Sequence, residues 1–394
     1  MSSSIIHWVE ANLPCSARWH SSAGLPPPPR VVIADDRMTA DAAYRLASEG
    51  TAMLWRGDFQ NARQLLQALA RRIDRSAQKP RKARTAVVTP PAAPTMTDVF
   101  NAHRQAQAQR ARTLGRLLVP FDAAYVIPLR RAPDVRAACT EAYGTAPEPT
   151  AASAAVPTTA VVSLRELQGV IGAHEWRKKG VAVEALGARI HPHYGVFAPI
   201  RSEYVGLVAS AALPAVDTAF DIGTGTGVLA AVLAQRGIQR IIATDMDQRA
   251  LTCARDNLRQ LGYLEQVEVV HADLFPPGQA GLIVCNPPWV PARPSSPLEH
   301  AVYDPDSRML RGFLGGLATH LQKSGEGWLI LSDLAEHLGL RSRATLLEMI
   351  ETAGLTVLGR TDVLPHHPRS MDITDVLHAA RRQEVTSLWR LGMK

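Results

Sequence analysis

Hydrophobic and polar positions follow one rhythm in the first 160 residues of the chain and another in the remaining 234 of its 394. In the front part, Thr39 to Ile73 sets Tyr44, Leu46, Leu54, Leu65, Leu66 and Leu69 among Ala, Gln and Arg, with breaks at Gly50 and Gly57-Asp58. This spacing predicts helices. Asp98 to Val119, rich in Gln, Ala and Arg, predicts another. The four consecutive prolines between Leu25 and Arg30 favour an extended backbone. Ala77 to Thr97 and Gly144 to Ala160, the second almost wholly Ala, Thr and Pro, have too little apolar content to fold and predict linkers. Residues 1–140 are therefore expected to form a small, mainly helical domain, with residues 141–160 as a linker.

Behind Val161 the pattern changes. Ser163 followed by Glu166 is a capping box opening a short helix, and Val181 to Phe197 reads as strands broken at Gly187 and Gly195, so residues 161–213 predict a helix and a β-hairpin. After Pro214 strands and helices alternate. Phe220-Asp221-Ile222 ends a strand, Gly227 to Gln235 is helical, Ile238 to Ala243 a strand, Gln248 to Leu261 a helix, and Val267 to Val270 and Gly281 to Cys285 are strands. Ser307 to Leu321 and Arg341 to Ala353 predict helices; Trp328 to Leu331 and Leu355 to Leu358 predict strands, and Glu384 to Leu391 a closing edge strand. Such alternation predicts a doubly wound α/β domain with a mostly parallel sheet over residues 214–394.

Composition, at 46% apolar and 20% charged, is that of an ordinary soluble protein. No run of 18 apolar residues occurs and Met-Ser-Ser-Ser does not open a secretory signal, so a cytoplasmic location is expected. Cys15, Cys139, Cys253 and Cys285 show no Cys-x-x-Cys spacing, and neither His191-Pro-His193 nor His366-His367 has a Cys or carboxylate nearby at ligand spacing. No metal site is expected. Charge is uneven: residues 1–160 hold 20 Lys and Arg against 12 Asp and Glu, whereas residues 161–394 hold 23 against 24. The front half, including Arg104, Arg110, Arg112 and Arg116, could thus meet an acidic partner such as nucleic acid, but the helix lacks interleaved aromatics and a solvated face is the better reading of these arginines.

Candidate chemistry sits at the strand ends. Asp221-Ile-Gly223-Thr224-Gly225-Thr-Gly227 follows the first strand and opens a helix, where glycines let backbone approach a ligand closely. A dinucleotide fingerprint would need glycine at 228, which is Val228. Asp245, 22 residues past Gly223, ends the next strand, where a carboxylate can accept both hydroxyls of a ribose. Met246 beside it could pack on a purine, and Asp273-Leu274 follows the third strand. Three acids at successive strand ends, in register with a glycine loop, point to one nucleotide-like cofactor. The spacing Asp-x-Gly-x-Gly-x-Gly resembles the first motif of class I S-adenosylmethionine-dependent methyltransferases. That resemblance implies a seven-stranded Rossmann-like fold and S-adenosylmethionine as cofactor, with Asp221 near its amino-acid end and Asp273 near the adenine amino group.

Asn286-Pro287-Pro288-Trp289 ends the fourth strand and resembles the Asn/Asp-Pro-Pro-aromatic motif of methyltransferases acting on planar nitrogen. An amide or aromatic amine is a poor nucleophile because its lone pair is delocalised. The Asn286 oxygen and the Pro287 carbonyl can accept hydrogen bonds from such an NH2 group, prolines fix that geometry, and Trp289 would stack on the planar substrate. Val196 to Val208, with Phe197 and Glu203, is similar to the entry segment of the HemK-type release-factor glutamine methyltransferases, and Glu299 to an acidic position of that group. The implied acceptor is a macromolecule, a protein glutamine slightly ahead of an adenine or guanine amine of RNA or DNA, with a small-molecule acceptor or a cofactor-stabilised nucleic-acid-binding module as further alternatives. Trp289 stands where HemK-type enzymes usually carry tyrosine, which leaves the acceptor open. The front domain, with its basic excess and proline linkers, is longer than the small helical substrate domain of that family, the tail from Asp362 to Lys394 has no counterpart there, and both are expected to choose the substrate.

Overall fold

The computed structural model describes residues 4–78, 93–145, 157–294, 299, 301–365 and 375–394. Most of both expected linkers, and His366-His367, lie outside the described residues. Two compact units emerge: residues 1–93 with 102–175, and residues 94–101 with 176–394.

The first unit is built on a sheet, not mainly on helices. Its strands are β1 (Ile5–Glu10), β2 (Leu13–His20), β3 (Val31–Ala34), β4 (Ala52–Trp55), β5 (Leu117–Phe121) and β6 (Ala160–Ser163), ordered β1-β2-β6-β5-β4-β3. Neighbours β3, β4 and β5 run parallel, while β5 and β6 are antiparallel. Helices α1 (Ala40–Ser48), α2 (Phe59–Gln78), α3 (Met96–Leu114) and α4 (Arg136–Tyr143) connect them. The expected helix over Thr39 to Ile73 contains β4, and that over Asp98 to Val119 runs into β5. Both strands are buried at every position, so they present the continuous apolar runs Ala-Met-Leu-Trp and Leu-Leu-Val-Pro-Phe, which no alternating pattern marks as strand. On α3, Arg110 pairs with Asp74 at 2.8 Å and Arg112 donates to Gln109, the arrangement of a solvated helix face.

In the second unit, α5 (Leu164–Lys179) runs in from the first, and the hairpin β7 (Val181–Val183) and β8 (Ala188–Ile190) and helix α6 (Glu203–Ser210) precede a seven-stranded sheet. Its strands are β9 (Thr218–Ile222), β10 (Arg240–Asp245), β11 (Val267–His271), β12 (Ala280–Cys285), β13 (Leu321–Ser332), β14 (Leu355–Val363) and β15 (Thr386–Met393), ordered β11-β10-β9-β12-β13-β15-β14. Helices α7 (Val228–Gln235), α8 (Gln248–Leu261), α9 (Arg308–His320), α10 (Leu334–His337), α11 (Arg343–Thr352) and α12 (His378–Gln383) connect them. The first five strands of that order are parallel; β15 is antiparallel to both β13 and β14. The last strand is thus interior, where an edge strand was expected, and the tail contributes to the core through Leu388 and Leu391, both fully buried. The buried Glu384 just before β15 accepts from Arg201 at 2.9 Å and from the Ser332 hydroxyl at 2.7 Å, fixing the turn into that strand.

Packing sets where chemistry can occur. The buried helix α7, Val-Leu-Ala-Ala-Val-Leu-Ala-Gln, leans on one face of the sheet, and the apolar stripe of α9, with Leu310, Phe313, Leu314 and Leu317, on the other. The strand order reverses between β9 and β12, and at such a switch point the carboxyl ends of an open parallel sheet leave a crevice for a ligand.

Candidate active site

Gly223, Gly225 and Gly227 follow β9 with φ of +72°, +56° and +80°, a left-handed backbone that other residues adopt only with strain. Thr224 N–H donates to the Thr244 carbonyl at 2.8 Å and thereby ties the loop to β10. A Cβ at Gly225 would meet nothing within 4 Å, so the loop faces open space there. Gly227 is different: its Cβ would crowd the α8 backbone at Ala254. Asn257, buried on α8, donates to the Thr226 carbonyl at 3.0 Å and accepts from His191 N–H at 2.7 Å, bracing the loop from behind. Nothing in the local sequence marks Asn257 for this task.

Two carboxylates frame the open space. Asp221 is buried, accepting from Thr224 Oγ1 at 2.6 Å and Ala230 N–H at 3.1 Å; burial pushes its pKa up to about 6. Asp245 accepts from Gly225 N–H at 3.0 Å and Asp247 N–H at 2.9 Å, and burial raises its pKa as well. Neither carboxylate meets a cation among the described residues. A buried carboxylate held only by neutral donors favours a ligand that brings donors or positive charge. Glu203, at the start of α6, has a buried Oε1 with no hydrogen-bond partner; burial, and then the charges of Asp221 and Glu203, push the pKa of the buried Tyr204 hydroxyl up.

The third acid behaves differently. Asp273 is half exposed and ion-paired to Arg308 at 2.8 Å. Leu274, at φ +74°, turns its carbonyl to accept from Thr244 Oγ1 at 2.6 Å. Met246 is 53% exposed, and Phe197 is partly buried in the segment preceding α6.

Cys285 of β12 pairs with Ile222 of β9, which places Asn286 and Gly223 side by side at the same sheet end. Trp289 donates its indole N–H to Asn286 Oδ1 at 2.8 Å. Trp289, expected from the sequence as a stacking surface, is half-buried against the core, and its indole orients the Asn286 side chain. The oxygen retains a second lone pair. Pro287 is buried, and Pro288 partly so. Behind the motif, Val290 packs with Phe100, Leu338 and Leu377, so the first turns of α3 brace this loop. The loop returns through a bridge between Val290 and Tyr303, with Glu299 partly buried between them. Asp304, also buried, caps α9 by accepting from Met309 and Leu310 N–H at 3.0 and 3.1 Å. Met309 in turn covers Gly223, whose Cβ would lie 2.5 Å from the methionine methyl.

With this geometry in hand, likeness to known proteins is informative. Residues 188–349 match the protein family described as methyltransferase small domain. The chain is 31% identical over 195 residues to the release factor glutamine methyltransferase of Cereibacter sphaeroides, covering 46% of this chain and 65% of that protein. It is 28% identical over 174 residues to the tRNA1(Val) (adenine(37)-N6)-methyltransferase of Bacteroides thetaiotaomicron, covering 42% of this chain and 73% of that one. Residues 188–349 are thus similar to class I S-adenosylmethionine-dependent methyltransferase domains. Among solved structures, a methyltransferase from Pyrococcus furiosus aligns over 56% of this chain and 96% of its own, at 18% identity and a TM-score of 0.38. Other similar tRNA enzymes match over shorter stretches; the chain spans under half the length of one from Shewanella.

Proposed function

We propose that the chain transfers the methyl group of S-adenosylmethionine to a planar NH2 group of a macromolecule. The observation that carries this reading is the side-by-side placement of Asn286 and Gly223, with the Asn286 oxygen aimed by Trp289.

The residues present fit the cofactor. Asp245 would take the ribose hydroxyls, the open loop at Gly225 would lie along the cofactor, and Asp221 with Glu203 would face its ammonium group. Met246 and the Asp273-Leu274 turn would border the adenine. Bound there, the cofactor supplies an electrophilic methyl group on a sulfonium. The chain's own residues do the rest. Asn286 Oδ1 and the Pro287 carbonyl accept the two N–H bonds of the acceptor, which holds the nitrogen at a fixed place and turns its lone pair out of conjugation. Pro287 and Pro288 keep that carbonyl from rotating away. Trp289 holds Asn286 in the accepting orientation and offers the exposed part of its ring to the planar group. No general base is needed, because the nitrogen becomes acidic as it gains its fourth bond.

Both a glutamine side chain and an exocyclic base amine satisfy this geometry, and the two relatives named above are described as acting on one each. The test is to incubate the protein with methyl-labelled S-adenosylmethionine and cell lysate. Incorporation that is lost in Asn286→Ala, with cofactor binding kept, is the expected result. Equal incorporation by that variant would overturn the reading. Release of the label by protease identifies a protein acceptor, and release by nuclease a nucleic acid.

A further inference from the structure

Beside the Asn286-to-Trp289 loop the second unit opens a groove of about 1030 Å³, lined among others by Pro291, Asp306, Arg308, Arg311, Arg341 and Thr345. At its floor Arg341 is only 7% exposed. Its guanidinium has only long hydrogen bonds to neutral oxygens, 3.4 Å to Ser307 Oγ and 3.3 Å to the Trp289 carbonyl, and meets no carboxylate within 4 Å among the described residues. Arg311, on the exposed face of α9, donates to the Asp306 carbonyl at 3.1 Å and likewise has no acidic partner. Arg308 shares the wall but is held by Asp273. Among the described residues, Asp306 is the one carboxylate that lines the groove.

A guanidinium this deeply buried without a direct ion pair is costly: burial lowers its pKa from the ordinary value, Glu336 and Asp304 offset this only through longer-range charge, and arginine remains protonated. The lip is strained as well. Asp306 and Ser307 are consecutive non-glycine residues at φ +56° and +54°, a conformation that persists only where surrounding structure enforces it. Here it brings the buried Ser307 hydroxyl to Arg341. The N–H groups of Met309 and Leu310 are already taken by Asp304, so the cationic side chains, and not the helix end, would receive a ligand.

We infer that this groove binds a phosphodiester of a nucleic-acid strand and thereby presents the neighbouring base to Asn286. The inference rests on the methyl-transfer reading above and deepens it. A single acidic side chain would be satisfied by one bidentate arginine. A floor arginine, a second one on the rim and a groove this large fit instead a strand whose charges repeat along its length. The hydrogen bond from Arg341 to the Trp289 carbonyl places the floor directly behind the motif that would receive the base.

The experiment measures fluorescence anisotropy of a labelled, mixed-sequence single-stranded RNA of about 15 nucleotides, across a range of salt concentrations. A labelled poly-glutamate peptide serves as the competing probe. Arg311→Gln should weaken RNA binding about threefold to tenfold and lower the salt slope by about one. Arg341→Met should weaken it more than tenfold, while unfolding temperature and S-adenosylhomocysteine binding confirm that the variant folds. Should Arg341→Met fail to fold, Arg311→Gln decides alone. RNA affinity unchanged in folded variants overturns the proposal, and so does arginine-dependent binding of the peptide without binding of RNA. Methyl incorporation is followed in parallel: label without RNA binding removes the groove and spares methyl transfer, whereas RNA binding without label does the reverse.

Discussion

Asp58, just past strand β4 of the first unit, and Asp245, the last residue of strand β10 of the second, both stand at the end of a parallel strand, yet they are surrounded in opposite ways. Asp58 has a fully buried side chain and is clasped by Arg130 at 3.0 Å and Arg131 at 2.6 Å. Asp36 beside it accepts from Asp58 N–H and Asn61, and a Cβ at Gly57 would strike the Asp36 carboxylate. Gln60 N–H donates to the other oxygen of Asp58, so both of its oxygens are answered. Around Asp245 and Asp221 the donors are backbone N–H groups and one hydroxyl, and the adjacent glycine opens onto space. An acid at a strand end is therefore not a site in itself. The protein's own arginines close one such place, and their absence keeps the other available.

This contrast can be broken or sharpened by experiment. The largest effect is expected at the reacting end: Asn286→Ala should lower the methyl-transfer rate by about 10² to 10³, the loss typical of removing one positioned catalytic hydrogen bond, with S-adenosylhomocysteine binding within a few-fold of the wild type by calorimetry. Next comes the direct comparison of aspartates. Asp245→Asn should weaken S-adenosylhomocysteine binding about 10- to 100-fold, as hydrogen bonds to a charged group imply. Asp58→Asn should lower the unfolding temperature by several degrees and leave that binding unchanged. If both variants lose binding equally, the distinction between filled and open carboxylates fails.

The pH response is a subtler probe of the same difference. Asp221 carries its proton up to about pH 6 in the folded chain against an ordinary value of 3.8. Its contribution therefore favours the ligand-free fold fully below pH 3.8 and is lost as pH rises through about 6. Binding of an ammonium-bearing ligand selects the ionised carboxylate. The rise in unfolding temperature on adding S-adenosylhomocysteine should then grow between pH 5 and 7, approaching the equivalent of about 2.7 kcal/mol at a ligand concentration 100-fold above Kd. A rise that is constant over that range would separate Asp221 from the ligand. The smallest effect is expected from Gly225→Ala. In the ligand-free chain open space receives the methyl group, so only backbone strain of about 1 kcal/mol remains, readable as a small loss in thermal stability without ligand.

Legibility followed locality. The glycine loop, Asp221, Asp245 and the Asn286-Pro287-Pro288-Trp289 run each lie within a few residues of a strand end, and their spacing alone places them at one edge of a parallel sheet. Arg341, Met309, Asn257 and Phe100 join the same region from distant segments, and no local pattern announces them. The central strands of the first unit, β4 to β6, escaped for a related reason: strands buried on both faces lose the alternation that distinguishes them from helix. The order of β15 could not be read either, because an antiparallel strand between two others has the same apolar look as one at the rim. Among the described residues no helix is long and apolar enough to cross a membrane.

That placement of β15 bears on how the molecule is made. The strand that fills the gap between β13 and β14 is synthesised after both of them. A nascent chain lacking it therefore carries β13 and β14 with unpaired edges, which invite pairing with other chains. The sheet that carries the site can close only after Thr386 to Met393 have emerged from the ribosome, so holding back this segment would leave β13 and β14 apart.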